Sequence, residues 1–464
     1  MTSKLAPERA ALAGIVGERH VLYGAALEAL EVGYHPDNLS ADTLVLPGST
    51  AEVAQIAALC NNEGIALVPQ GGRTGLSGGA MSEPGQIIIC LSRMSAIEKI
   101  DALGAIAIVE AGVSLQAVEE AARLQGLSVG IDVAARGTAT IGGMISTNAG
   151  GMEAFRNGSM RHRIAGLEAV LASGEVIDEM TEVTKCNEGY DIKQLFCGAE
   201  GTLGIVTRAV LRLVPQTPAP TTLLIGCESA DAALQLMRAC QRADSLDLLH
   251  AEIMWHSAAH EIAGEIGLNS VLSFCDAAVY LVLEVACRAG NVSFEDAFQA
   301  ALEGEGLEEC LLDALVAKNE RERRDIWMIR ESSFAIDSAV PNCVWFDVSV
   351  PMGELDDYVA LVDRRLAVID PAIKAYVIGH LGDGNLHYTI GSGQPLSDAQ
   401  KQSVTDAVFD GLKEIGGSFS AEHGIGTDKR DSLHHYASPS KIRLMKQIKH
   451  AFDPKGIMNP GKVV

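Results

Sequence analysis

Three glycine-dense segments fall within the first 206 residues of the chain: "PQGGRTGLSGGA" (69–80), "GTATIGGMISTNAGGMEAF" (137–155) and "GAEGTLGIV" (198–206). Glycine tolerates φ > 0 and lets backbone N–H groups approach an anion closely, so loops of this composition can cradle a phosphate. Three of them in one stretch, separated by strand-like runs, point to a long ligand lying across the fold, and a dinucleotide fits better than a mononucleotide. The spacing narrows the choice. G-x-G-x-x-G occurs nowhere, so a Rossmann pyrophosphate turn is not indicated. "GIMNPGKVV" (456–464) matches half of a P-loop, but Val463 stands where Ser or Thr is required.

Around these loops the first half alternates short β-rich runs with helical patterns. "STAEVAQIAALCNNEG" opens with a Ser-Thr cap and has helical apolar spacing, and "QIIICL" reads as a buried strand. "AIAIVEAGVSLQAVEEAARLQG" gives a strand, a cap at Ser114 and an amphipathic helix ending at Gly126. "PQTPAP" (215–220) marks a domain border. Beyond it, strand-like segments ("TTLLIGC", "AAVYLVLEVAC", "CVWFDVSVP", "KAYVIGHLG", "NLHYTI") interleave with helical ones. An antiparallel sheet with helices on one face satisfies that order.

The formal net charge of −24 argues against nucleic acid or an anionic membrane surface as partner, because Lys and Arg carry the binding term for polyanions. The 10 cysteines are scattered singly, several inside apolar runs, and read as reduced core residues of a cytoplasmic protein. Glu8 and Glu18 interrupt the only apolar patch near the N-terminus, so neither a signal nor a transit sequence is expected. No apolar run approaches the roughly 18 residues of a membrane span.

One further stretch bears on chemistry. "KAYVIGHLGDGNLHYTI" (374–390) sets His380 and His387 on either side of an Asp-Gly turn, a strong hairpin signal. With Asp383 and Gly384 as the two-residue loop, His380 stands opposite His387, with Cβ atoms roughly 5 Å apart on one face. Such a pair could share a metal ion, given a third ligand from elsewhere, or could be an exposed pair on a hairpin tip.

Six ordered motifs, "PQGGRTGLSGGA", "GIDVAARGTATIGGMISTNAGG", "NEGYDIKQLFCGAEGTLGIVT", "HLGDGNLHYTI", "AEHGIGTDKR" and "FDPKGIMNPGK", resemble those of the FAD-linked oxidases of the vanillyl-alcohol oxidase type, in their D-2-hydroxyglutarate and D-lactate dehydrogenase branch. The resemblance runs from about Pro47 to Lys462. It implies an α+β fold: an FAD-binding domain of two subdomains over 1–216, a substrate domain with an antiparallel sheet flanked by helices over 217–410, and a C-terminal segment, 411–464, that returns to the flavin and carries Glu422 and His423.

By motif position, the resemblance places Pro69, Gly71, Gly72, Arg73, Thr74, Gly75, Gly78 and Gly79 around the pyrophosphate. Thr140, Gly142, Gly143, Thr147, Asn148, Ala149, Gly150 and Gly151 would line the flavin and ribityl. Glu200, Gly201, Gly204, Ile205 and Val206 would lie near the adenine side or ring edge, and Asn459 would complete the set. Some relatives attach flavin through a histidine in the first loop; Arg73 stands there in this chain, so bound but non-covalent FAD is expected.

The resemblance also supplies the third ligand. It makes His380, His387 and Glu422 the ligands of a divalent metal, usually described as zinc, and His423 the base. A His₂Glu set with open positions suits a catalytic metal that binds a 2-hydroxy acid through its hydroxyl and carboxylate. Histidine is the side chain suited to proton exchange near neutral pH, while hydride leaves C2 for flavin N5. Arg330 matches the arginine that binds the substrate carboxylate.

The chain departs from the hydroxyglutarate pattern at Phe334, Trp345 and Thr389, where a threonine, a lysine and an asparagine are usual. Losing these groups removes partners for a distal carboxylate, whose burial would then be costly. D-Lactate or larger apolar D-2-hydroxy acids are therefore expected ahead of D-2-hydroxyglutarate. Two readings of other classes stay open: a zinc hydrolase, which would be colourless, and a non-catalytic flavoprotein subunit. Electron-transferring flavoprotein, a quinone or a cytochrome are the expected acceptors, and a homodimer is allowed.

Overall fold

The computed structural model describes residues 6–288 and 293–464. The chain divides into two units. The first is assembled from the chain as far as Gly151, from Asn157–Gln216 and from Glu422–Val464; the second comprises Met152–Arg156 and Thr217–Ala421.

The first unit holds two sheets. Strands β1 (Val21–Leu22), β2 (Thr43–Val45), β3 (Leu67–Gln70) and β4 (Ile87–Cys90) run in the order β1-β2-β4-β3, with β4 parallel to both β2 and β3. The crossover between β2 and β3 is the helix Thr50–Glu63, capped by Ser49, whose hydroxyl accepts from Glu52 N–H, and closed by Gly64 in the left-handed region. Next come β5 (Ile97–Asp101), β6 (Ile106–Glu110), β7 (Leu127–Ser128), β8 (Ile164–Val170), β9 (Val176–Glu179), β10 (Ile205–Arg212) and β11 (Val214–Pro215). Five of these form an antiparallel sheet, β5-β6-β10-β8-β9, and β7 pairs with β11. Ser114 caps the following helix as expected, but the helix is Leu115–Arg123 and Gly126 lies in the turn beyond it. One apolar core joins the two sheets and takes in Ile457 and Met458. Leu67 N–H donates to Ile457 O, tying the C-terminal segment to β3.

The second unit is built on one seven-stranded antiparallel sheet. Its strands are β12 (Thr221–Cys227), β13 (Leu246–Trp255), β14 (Val279–Cys287), β15 (Asp313–Val316), β16 (Val344–Ser349), β17 (Lys374–His380) and β18 (Asn385–Gly391), in the order β15-β12-β14-β13-β17-β18-β16. Helices cover both faces, not one. On one face Leu224, Met254, Tyr280, Val282 and Ile378 pack with the helices His256–Glu265 and Glu320–Glu331. On the other, Tyr388 meets Tyr358 and Phe346 meets Phe409, from the helices Leu355–Ile369 and Asp398–Phe409. The near-continuous apolar runs of β12 and β14 are what two covered faces require. Residues 411–421, assigned from sequence to the C-terminal segment, pack here: Ser418 bridges to Ser349 and Ala421 N–H donates to Asp347.

Candidate functional site

In the first unit the glycine segments meet. A side chain at Gly71 would strike Thr140, and one at Gly72 would strike the Thr138 carbonyl, so the loops 69–79 and 138–143 touch backbone to backbone. Thr140 caps the short helix Ile141–Thr147, accepting from Gly143 N–H, while Gly142 N–H donates to Ala111 O. Asn148 ends that helix at φ +53°, and its side-chain oxygen accepts from Arg161 N–H and from Ser159 Oγ. Gly201 packs on Pro69, and Asn459 Nδ2 donates to the carbonyls of Gly79 and Glu200. Arg73 has φ +55°, and its carbonyl accepts from Tyr34 N–H; Gly75 borders open space. Three buried polar atoms at this junction have no hydrogen-bond partner: Gln70 Oε1, Arg73 Nε and Asn459 Oδ1. Native interiors rarely leave such atoms unpaired, so the junction fits a polar ligand seated among the three loops.

The third segment is held by contacts of its own. Gly204 allows close packing against Phe196 and the Val170 carbonyl, and the side chains of Ile205 and Val206 belong to the core. The Glu200 carboxylate turns to the C-terminal segment, accepting from Ile425 N–H at 2.7 Å and Gly426 N–H at 2.8 Å. Burial pushes its pKa up against the pull of those N–H donors. This clamp fixes the turn that follows Glu422 and His423. Glu422 itself accepts from Gly151 N–H at 3.1 Å.

In the second unit the hairpin forms with a different register. His380 pairs with Asn385, and His387 pairs with Ile378, because the turn spans Leu381–Gly384 and not Asp383–Gly384 alone. Gly384, at φ +75°, closes it, its carbonyl accepting from Val350 N–H. The slip is by two residues, which preserves the face each side chain occupies. The histidines are diagonal neighbours, with Nε2 atoms 3.2 Å apart.

A buried carboxylate stands behind each imidazole. Glu252 on β13 faces His380 in register, with its two oxygens 2.9 and 2.8 Å from Nδ1, and ion-pairs with Arg330 Nη2 at 2.5 Å. Burial opposes its ionisation, but the charges of His380 and Arg330 prevail and hold its pKa below the usual carboxylate range. Asp347 on β16 lies 3.7 Å from His387 Nδ1 and accepts from Asn385 Nδ2 and Ala421 N–H. A second buried cluster adjoins: Glu284 accepts from Thr222, Arg323 and Trp327 and pairs with His250, which also faces Glu153 at 3.8 Å. Burial lowers the His250 pKa, yet Glu153 and Glu284 outweigh it and hold it at about 9. Burial raises that of Glu284, yet His250, Thr222 and Trp327 bring it to about 2.

Of the residues expected to meet the substrate's tail, Trp345 and Thr389 share this sheet face. Trp345 pairs with Thr389, two positions from the pair Asp347–His387. Trp345 and Phe334 form an edge-to-face pair with centroids 5.9 Å apart, and they stay 49% and 56% exposed. They are therefore not core packing. Arg330 is buried, with Nε unpartnered. Sequence reasoning missed Glu252, Asp347 and Asn385.

Residues 217–463 match the family of FAD linked oxidases, C-terminal domain, and residues 41–179 match an FAD binding domain. The chain is 35% identical over 429 residues to a D-2-hydroxyglutarate dehydrogenase of Xanthomonas citri pv. viticola, covering 90% of this chain and 88% of the relative. A second such dehydrogenase, from Stutzerimonas stutzeri, is 33% identical, covering 90% of each. Among solved structures, 4-ethylphenol oxidase from Gulosibacter chungangensis aligns with a TM-score of 0.73 at 20% identity, covering 99% of this chain and 97% of that one. p-Cresol methylhydroxylase aligns at 0.74 and 16% identity, covering 100% and 97%. Matched through both its domains and along nearly its whole length, this chain belongs to the family of FAD-linked oxidases and is an FAD-dependent oxidoreductase.

Proposed function

We propose that the protein oxidises D-2-hydroxy acids to 2-oxo acids with non-covalently bound FAD and a divalent metal, zinc by the chemistry of its ligands. The observation that carries this reading is the 3.2 Å separation of His380 Nε2 and His387 Nε2. Metal–nitrogen bonds of about 2.0 to 2.1 Å at tetrahedral angles put two ligating nitrogens roughly 3.4 Å apart. By its motif, Glu422 is the third member of the His₂Glu set. When bound, FAD would supply the acceptor for the C2 hydride and the metal a Lewis acid for the substrate hydroxyl.

His423 then takes the hydroxyl proton, its turn held by the Glu200 clamp. Arg330, anchored by Glu252, offers its unpartnered Nε to the substrate carboxylate. The loops 69–79 and 140–151 with Asn459 hold FAD, and Arg73 provides no imidazole for a covalent link.

The exposed pair Phe334 and Trp345 favours an apolar substrate tail, D-lactate or larger. D-2-Hydroxyglutarate is the second reading, favoured by the names of the relatives. An electron-transferring flavoprotein, quinone or cytochrome takes the electrons onward, in the cytoplasm. The test is anaerobic flavin bleaching by a panel of D- and L-2-hydroxy acids, before and after chelation. Bleaching by D-acids alone, lost on chelation and restored by Zn²⁺, is expected; indifference to chelation overturns the metal's part.

A further inference from the structure

We infer that Glu252 is a positioning residue serving both halves of the substrate site: it fixes His380 as the tautomer whose bare Nε2 can ligate a metal, and it anchors the guanidinium of Arg330 beside that imidazole. This rests on the metal reading proposed above.

The tautomer follows from donor and acceptor bookkeeping. Glu252 is fully buried and holds the Arg330 guanidinium at 2.5 Å, so its oxygens serve as acceptors for the donors that face them. His380 Nδ1, 2.8–2.9 Å from them, must therefore carry the proton, and in the neutral ring Nε2 is then bare. That bare nitrogen faces His387 Nε2. The opposite tautomer would set a lone pair against a carboxylate and a proton where a metal must sit.

The same carboxylate holds Arg330 Nη2 at 2.5 Å, and the arginine lies 3.4 Å from His380 Nδ1. A carboxylate in the interior of a sheet is costly to bury, and apolar residues of similar volume commonly fill such places at no loss of stability. Both partners of Glu252 are residues of the proposed site, so orientation is what the charge supplies. Asp347 stands 3.7 Å from His387 Nδ1 and accepts from Asn385 and Ala421. Loss of Glu252 should weaken metal binding and substrate binding together, whereas loss of Arg330 should weaken only the second.

The experiment compares the wild-type holoenzyme with Glu252→Gln, Arg330→Gln and His387→Ala, each stripped and retitrated with Zn²⁺ against a chromophoric chelator, then assayed with the best acid of the panel. Glu252→Gln should weaken zinc affinity about 10- to 100-fold and raise KM about tenfold or more. Arg330→Gln should raise KM while zinc affinity stays within about threefold of wild type. His387→Ala separates the two layers of inference: if it binds zinc as the wild type does, the metal reading fails. If His387→Ala loses zinc while Glu252→Gln keeps wild-type affinity, the positioning role fails. Should Glu252→Gln not fold, ¹⁵N-histidine NMR of the zinc-free wild-type protein, with His380 assigned through His380→Gln, decides the matter. A protonated Nδ1 supports the lock and a bare Nδ1 overturns it.

Discussion

His380 and His387 present Nε2 atoms 3.2 Å apart although they are diagonal, not opposite, in the β17–β18 hairpin. Alanine at either position should reduce bound metal from one equivalent to a small fraction and lower kcat/KM on the order of 10³-fold, with the flavin absorbance retained. Elemental analysis beside steady-state assays checks both; undiminished metal in the two variants would count against the site.

The buried His250–Glu284 pair predicts a stability profile. The His250 pKa is raised from 6.5 to about 9, so its contribution is complete below pH 6.5 and is lost as pH rises through 9. Glu284 is lowered from 4.5 to about 2, so its contribution is present above pH 4.5 and is lost as pH falls towards 2. The groups facing them are Glu153, Thr222, Arg323 and Trp327. Melting curves should show Tm declining above pH 6.5, and the alkaline decline should flatten in His250→Gln.

Gly72→Ala places a methyl group against the Thr138 carbonyl and must force two of the glycine loops apart. The purified variant should retain a small fraction of wild-type flavin, read as the ratio of absorbance in the flavin band to that of the protein, with the second unit's helices intact by circular dichroism.

Trp345→Lys restores a cation where the chain carries an exposed aromatic beside Thr389. The ratio of kcat/KM for D-2-hydroxyglutarate to that for D-lactate should rise about tenfold or more, as one new charge-assisted hydrogen bond would give. An unchanged ratio would place the substrate's tail elsewhere.

Glu200→Ala removes the acceptor of two backbone N–H groups. Urea unfolding should show a loss of about 2 kcal/mol. Transient flavin reduction should slow at least tenfold, because the turn bearing His423 is no longer fixed; a normal rate would separate the clamp from the chemistry.

Much of this was legible in the sequence, and the failures have physical causes. The caps at Ser49 and Ser114 follow from local chemistry, and the structure has them where the residues indicate. The hairpin register was misplaced because Asp-Gly signals a two-residue loop only when tertiary contacts allow it; here Gly384 is drawn to Val350, and the turn lengthens. The helices on the second face of the large sheet were missed although the unbroken apolar runs of β12 and β14 indicated them. Glu252, Glu284 and Asp347 carried a readable signal as well. Each is a lone acid inside an apolar strand, "HAEIMW", "VLEVAC" and "VWFDVSV", and such an acid must find a buried partner. Which partner it finds depends on strand order, which no local pattern encodes.

The hydrogen bond from Leu67 to Ile457 has a consequence for biogenesis. β3 lies early in the chain, yet the backbone that completes its edge is translated only after the whole of Thr217–Ala421 has left the ribosome. At about 5–20 residues per second, the inserted unit is complete roughly 2–7 s before that backbone is made, and it begins to fold while its host is still open. A ribosome that stalls after Ala421 would leave β3 without the backbone partner that Ile457 supplies to its edge.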